Sequence, residues 1–243
     1  MQSSLYVALA AQRVLQQQLT TVAHNVANMN TVGFRAESVN FDALVSMSEP
    51  DGVHFPMIAK TQPSAVPGTL ERTGNPLDVA LSGPGWFAIQ TPGGVAYTRD
   101  GRMQIDAFGE LRSVAGNHQM LDAAQAPILV NPNGGPIEIS PDGRLRQDGN
   151  VIANIGVFEV AEPNLVARYE NSAFLADVEG LPIAPGTATR LSQGFVETSN
   201  VDAIAQMANL ISISRYFESL NASITESEKA MDRSIQELAP PQS

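Results

Sequence analysis

The sequence predicts an α+β chain: an antiparallel β-rich central domain bracketed by long N- and C-terminal amphipathic helices that pair in a coiled-coil-like bundle. Three observations predict it. Apolar residues near the start recur at alternating spacings of three and four, and apolar residues near the end recur every seven. Between them the text changes to short strand-like runs broken by Gly, Pro, Asp and Asn.

The first element follows Leu5, Ala8, Gln12, Leu15, Leu19, Val22, Val26 and Met29, a seam in which Gln12 is the polar exception. Gly33 supplies a stop, since a left-handed residue commonly closes a helix. Residues 1–34 are therefore expected to form the N-terminal helical segment, about 40 Å of helix at ~1.5 Å per residue. Residues 35–75, with Pro50, Pro56, Pro63 and Pro67, read as an extended connector. Residues 76–190 read as the β-rich domain. Its Asp100-Gly101, Asp142-Gly143 and Asp148-Gly149 dipeptides are of the kind that supply positive φ in tight turns. Helical spacing between the strands is missing, which disfavours a parallel α/β sheet. Residues 191–243 form a connector and a second helix. Ala203, Leu210, Phe217, Ile224, Met231 and Leu238 make one column; Met207, Ser214, Asn221, Glu228 and Ile235 make a mixed companion. Ser199 or Asn200 caps this helix, and Pro240 and Pro241 end it.

Composition narrows the function classes. A chain of 243 residues with 43% hydrophobic and 16% charged content is expected to fold around a sizeable core. The net charge of −11 argues against nucleic acid, whose backbone is held by clustered Lys and Arg. No cysteine is present, which removes disulfides, thiol nucleophiles and Cys-ligated metal. The opening residues lack the basic and apolar regions of a signal peptide, and no window approaches the ~18 apolar residues of a membrane span. The expectation is no membrane insertion, and a cytosolic chain unless an uncleaved export route takes it.

Candidate chemistry is sparse. Gly83-Pro84-Gly85-Trp86-Phe87-Ala88 fits a loose dinucleotide pattern, but "WFAIQTPGG" alternates and turns where a helix should follow, so a β-turn is the better reading. His24, His54 and His118 are scattered and do not form a metal-ligand spacing. No nucleophile elbow, P-loop or EF-hand spacing occurs. No catalytic, cofactor-binding or metal-binding residues are expected, although distant carboxylates of a glycosidase pair leave no trace in sequence. Apolar residues flanking the seams, among them Val14, Ile211, Ile213 and Leu220, would stay uncovered in a private two-helix hairpin. Packing against neighbouring copies would cover them.

Four separated stretches carry a resemblance. "LTTVAHNVANMNTVGFRAE" resembles the N-terminal signature of the flagellar rod and hook family, with Asn25, Asn28, Thr31, Gly33 and Phe34 on the motif. "GTLERTGNPLDVALSGPGWFAI" and "YTRDGRMQIDAFGEL" are similar to the family's central signature, and "LSQGFVETSNVDAIAQMANLI" to its entry into the C-terminal helix. Trp86, Thr198 and Gln206 stand where Phe, Gly and Glu are commoner.

The resemblance implies a structural, non-enzymatic subunit of the bacterial flagellar basal-body rod in the periplasm. It implies export through the flagellar type III apparatus without a cleaved signal, and assembly with other rod proteins and copies of itself to transmit torque. No cofactor is implied. Length and the compact middle favour a proximal-rod subunit over a distal-rod one; a wall-degrading glycosidase is the more distant alternative. The expected subunit interface comprises Leu5, Leu15, Leu19, Val22, Asn25, Val26, Asn28, Met29, Met207, Leu210, Phe217, Ile224, Met231 and Ile235. The asparagine amides are expected to close the helix end and bind neighbouring backbone, and Ser214, Asn221 and Glu228 to fix register.

Overall fold

Twenty-six consecutive residues without Gly or Pro, Gln2–Ala27, form the first helix, α1, and thirty-six more, Ala203–Leu238, form the second, α2. Asp202 caps α2: its Oδ1 accepts from the backbone N–H groups of Ile204 and Ala205, each at 3.0 Å. The computed structural model of the protein describes residues 2–46, 53–161, 165–184, 186 and 188–238. These residues divide into two compact units. One takes its members from 1–26, 38–61 and 202–243, the other from 27–37 and 62–201.

The first unit contains α1, α2 and a two-stranded sheet built from Glu37–Ser46 and Val53–Pro63. Here the expected pairing of the helices in a coiled-coil-like bundle is corrected. The helices do flank a largely antiparallel β-rich domain in sequence, but the described hydrogen bond between them is polar, Gln12 Nε2 to Asn221 Oδ1 at 3.0 Å. Ala203, Leu210, Phe217 and Ile224 are half-buried, Met207 is 43% exposed, and no described side chain of α2 is fully buried. The physical reason lies in the companion column. A heptad seam needs apolar side chains in both columns to fill the facing holes. Ser214, Asn221 and Glu228 interrupt the second column, and an amide pair stands where a knob-into-hole contact would be.

The second unit is built on a nine-stranded sheet. Its central strand Trp86–Thr91 pairs with Gly94–Thr98 on one side and with Gln119–Met120 and Val157–Glu159 on the other. Because side chains alternate along a strand, Phe87 and Ile89 enter one apolar cluster while Trp86 and Ala88 enter a second on the opposite face. The strand is buried on both faces, which accounts for its near-continuous apolar run. A three-stranded antiparallel sheet, Ile137–Ile139, Arg144–Gln147 and Asn150–Asn154, adds Ile137, Ile139 and Leu145 to the first cluster. Its second hairpin turns on Asp148-Gly149, with φ of 52° and 79°, the double positive φ that a two-residue turn demands.

Two short ladders then bring distant sequence together. Val79–Ser82 pairs with Arg190–Gln193, and Leu70–Arg72 pairs with Phe195–Glu197. The stretch that enters the domain and the stretch that leaves it therefore run antiparallel, side by side.

Candidate functional site: the junction of the terminal motifs

Past α1, the chain turns on Asn28, whose carbonyl accepts from Thr31 N at 3.1 Å and whose Oδ1 accepts from Thr31 Oγ1 at 3.0 Å. Gly33 follows with φ +68° and donates its N–H to the Glu197 carbonyl at 2.7 Å. A Cβ here would lie 2.3 Å from the backbone N of Asp100, so both the dihedral and the space require glycine. Phe34 is fully buried. The Arg168 guanidinium lies 4.4 Å from the ring centres of both Phe34 and Phe174, pairs with Glu37 at 2.8 Å and donates to the Arg35 carbonyl at 2.7 Å. Burial lowers the Arg168 pKa, against the pull of Glu37.

The C-terminal motif grips the same segment. Asn200 Oδ1 accepts from Ala36 N, and its Nδ2 donates to the Val66 carbonyl, both at 2.7 Å. Thr198 N donates to Thr69 O at 2.8 Å, extending the ladder made by Phe195–Glu197. Three stretches far apart in sequence, 28–37, 64–72 and 194–200, thus form one layer on the β core.

At its centre lies an ion cluster with almost no solvent contact: Arg35 is 2% exposed, Arg99 5% and Glu197 1%. Glu197 Oε1 meets Arg35 Nη2 at 2.7 Å and accepts from Gly68 N at 3.0 Å, while its Oε2 meets Arg99 Nη1 at 3.3 Å. Arg35 Nη1 also donates to the carbonyls of Ala65, at 3.0 Å, and Val66; Arg99 Nη2 donates to Gly83 O at 3.0 Å. Both guanidinium groups sit over Trp86, at 5.7 and 5.3 Å from the ring centre. Two cations against one carboxylate are tolerated because carbonyl oxygens and the ring face carry the remaining charge. Desolvation brings the Arg99 pKa down to about 10, with Glu197 opposing and Arg35 adding to the fall. Since the unfolded value is higher, the desolvation cost is present in full below about pH 10 and is relieved as pH rises beyond it. At neutral pH the arginines stay charged.

Beside this layer Asp100, itself buried, holds Arg102 through Oδ1 to N and Nε, and through Oδ2 to Nη2 at 2.6 Å. Asp78, also buried, accepts from Thr73 Oγ1 and Asn75 Nδ2. Further out, Asp106 Oδ1 accepts from the N–H groups of Phe108 and Glu110, and its Oδ2 meets Arg112 Nε at 2.9 Å. Desolvation raises the Asp106 pKa, but these donors outweigh it and the value falls below the ordinary one. Each of these carboxylates accepts hydrogen bonds that brace a turn.

The expected interface positions differ in burial. Leu15, Leu19, Val22, Val26 and Met29 are half-buried, Asn25 and Asn28 buried, and Leu210, Phe217 and Ile224 half-buried. The side chains of Leu5, Met231 and Ile235 lie outside the described residues, as does that of His54. His118 pairs with Glu170 at 3.0 Å. Among the described residues no group of three or more His, Cys, Asp or Glu is placed to hold a metal ion, and no helix is long and apolar enough to cross a membrane. Sequence reasoning missed Arg35, Arg99, Arg168 and Glu197. The available signal was a charge inside apolar, strand-like text, as in "GFVET" and "AYTRD".

Three family models match the chain in order, and the two terminal matches take in residues of this junction. Residues 5–35 match the flagella basal body rod protein model, 80–147 the flagellar hook protein FlgE/F/G D1 domain, and 192–237 the flagellar basal body rod FlgEFG protein C-terminal model. The class is that of flagellar rod and hook proteins. Relatives include the flagellar basal-body rod protein FlgF of Mesorhizobium japonicum, 42% identical over 98% of both chains. FlgF of Escherichia coli is 34% identical over 90% of this chain and 91% of its own. The rod protein FlgG of Bacillus subtilis is 30% identical over 96% and 97%. The chain belongs to the FlgF family of flagellar basal-body rod proteins. It is a structural subunit of the flagellar rod, located in the basal body and assembled with other rod and hook components.

Proposed function

We propose that this subunit occupies the proximal rod, reaches the periplasm through the flagellar export apparatus, and polymerises with copies of itself and other rod proteins to transmit torque. Contacts to neighbours are made by the terminal segments 1–34 and 191–243, through the fourteen interface positions named above. The β-rich domain 76–190 holds its own fold, and 35–75 links it to the N-terminal segment. The observation that carries this reading is the start of α2, where Ile204, Met207 and Ile211 are all exposed. Apolar side chains at helical spacing, left in water by the monomer, are surface that association would bury. A non-catalytic role is in keeping with the engagement of Asp78, Asp100 and Asp106 in hydrogen bonds within their own turns.

Complementation of a deletion strain tests it. Cells given the full chain should swim, and isolated basal bodies should contain it; cells given a chain lacking residues 203–238 should do neither. Normal rods from the shortened chain would refute helix-borne assembly. Cleavage of purified peptidoglycan by the full chain would return the glycosidase reading.

A further inference from the structure

Glu197 touches every part of the junction. Its carbonyl receives Gly33 N; its carboxylate receives Arg35, Gly68 N and Arg99; and its own strand is paired with Leu70–Arg72. Other contacts hold the 28–37 segment by one side only: Arg168 through Phe34, Glu37 and the Arg35 carbonyl, and Asn200 through Ala36. Among the described residues, neither apolar cluster of the β domain counts a member from 28–37, although Arg35 lies over Trp86 of the second. Of the contacts between the N-terminal segment and the core, those of the Glu197 carboxylate are the ones that meet Arg35, Arg99 and Gly68 together.

We infer that Glu197 is a positioning residue that latches the N-terminal segment to the C-terminal motif, so that 28–37 docks only where the strand Phe195–Glu197 is already in place. Without the carboxylate, Arg35 would be a buried cation facing Arg99, and the least costly relief is for Arg35 to leave with its segment. The β core does not have to open for this to happen. The latch keeps segment 28–37 and the strand Phe195–Glu197 docked together or not at all. It belongs to the isolated chain, and stands or falls separately from polymerisation.

Chymotrypsin at Phe34 reads the latch in the full chain. Phe34 is fully buried when docked, Phe87 and Phe158 report the core, and exposed Phe108 and Tyr216 give the rate at an open site. First cuts are identified by mass spectrometry under single-cut conditions. In Glu197→Gln, cutting at Phe34 should rise at least about tenfold over wild type, as expected for local opening, while Phe87 and Phe158 stay protected. Glu197→Asp, which keeps the charge, should restore much of the protection. Should Glu197→Gln not fold, Arg35→Met supplies the same reading, because it frees the segment while leaving the Arg99–Glu197 pair whole. Unchanged protection of Phe34, or loss of protection at Phe34, Phe87 and Phe158 together in either variant, would overturn the latch.

Discussion

Among single residues, the carboxylates separate by burial. Asp100 is buried and accepts three hydrogen bonds from Arg102, so Asp100→Asn sets an amide NH2 against a guanidinium and should cost about 2 kcal/mol. Glu110→Gln, at a more exposed pair with Arg112, should cost under about 0.5 kcal/mol. Urea midpoints of the two variants decide the matter, and equal losses would contradict the assignment of Asp100 as a brace. Asp106 adds a pH dependence. Its folded pKa lies below the unfolded 3.8, so its contribution is present above that value and is lost as pH falls through the lowered one. The stability gap between wild type and Asp106→Asn should therefore shrink as pH is taken from about 6 to about 2 in urea titrations. A gap that widened on acidification would have the wrong sign.

The elements differ in how far they could be read. Both helices announced themselves, because a pattern of threes and fours and a free run without Gly or Pro are local properties. The β-rich middle was legible for the same reason, and the Asp148-Gly149 hairpin could be placed to the residue. Pairing was less accessible. The stretch holding Glu37–Ser46 and Val53–Pro63 looked extended, and nothing in its prolines said that it forms a sheet with itself. The helix seam misled, since a column of sevens is visible in one sequence while the filling of its holes depends on the partner. Arg35, Arg99 and Glu197 were invisible as a cluster because Arg99 and Glu197 stand 98 residues apart. What the helices do outside the monomer is open to test. Leu19→Asp or Phe217→Asp places a charge at a half-buried apolar position, and should abolish motility while leaving the circular dichroism of the β domain unchanged. Normal swimming by both mutants would remove these positions from the interface.

For the molecule as a whole, charge and burial set the behaviour. A subunit of net charge −11 meets its own copies as like-charged bodies, so encounter should be slow at low salt. Raising ionic strength from about 0.05 to 0.5 M shortens the screening length several-fold and should speed self-association measured by light scattering. A rate that fell with salt would point to opposite-charge pairing between copies instead. Burial is equally uneven: the β-rich unit holds both apolar clusters, whereas α2 has no fully buried described side chain.

The two arginines that share one glutamate carry an evolutionary consequence. A neutral change at position 197 strands two cations, a change at Arg35 or Arg99 alters what the carboxylate must balance, and Trp86 fits beneath both guanidinium planes. No single substitution there leaves the others at ease. Across descendants of this chain positions 35, 86, 99 and 197 should therefore drift as a linked set, remaining fixed for long intervals and then being replaced together, while the exposed carboxylates around them wander independently.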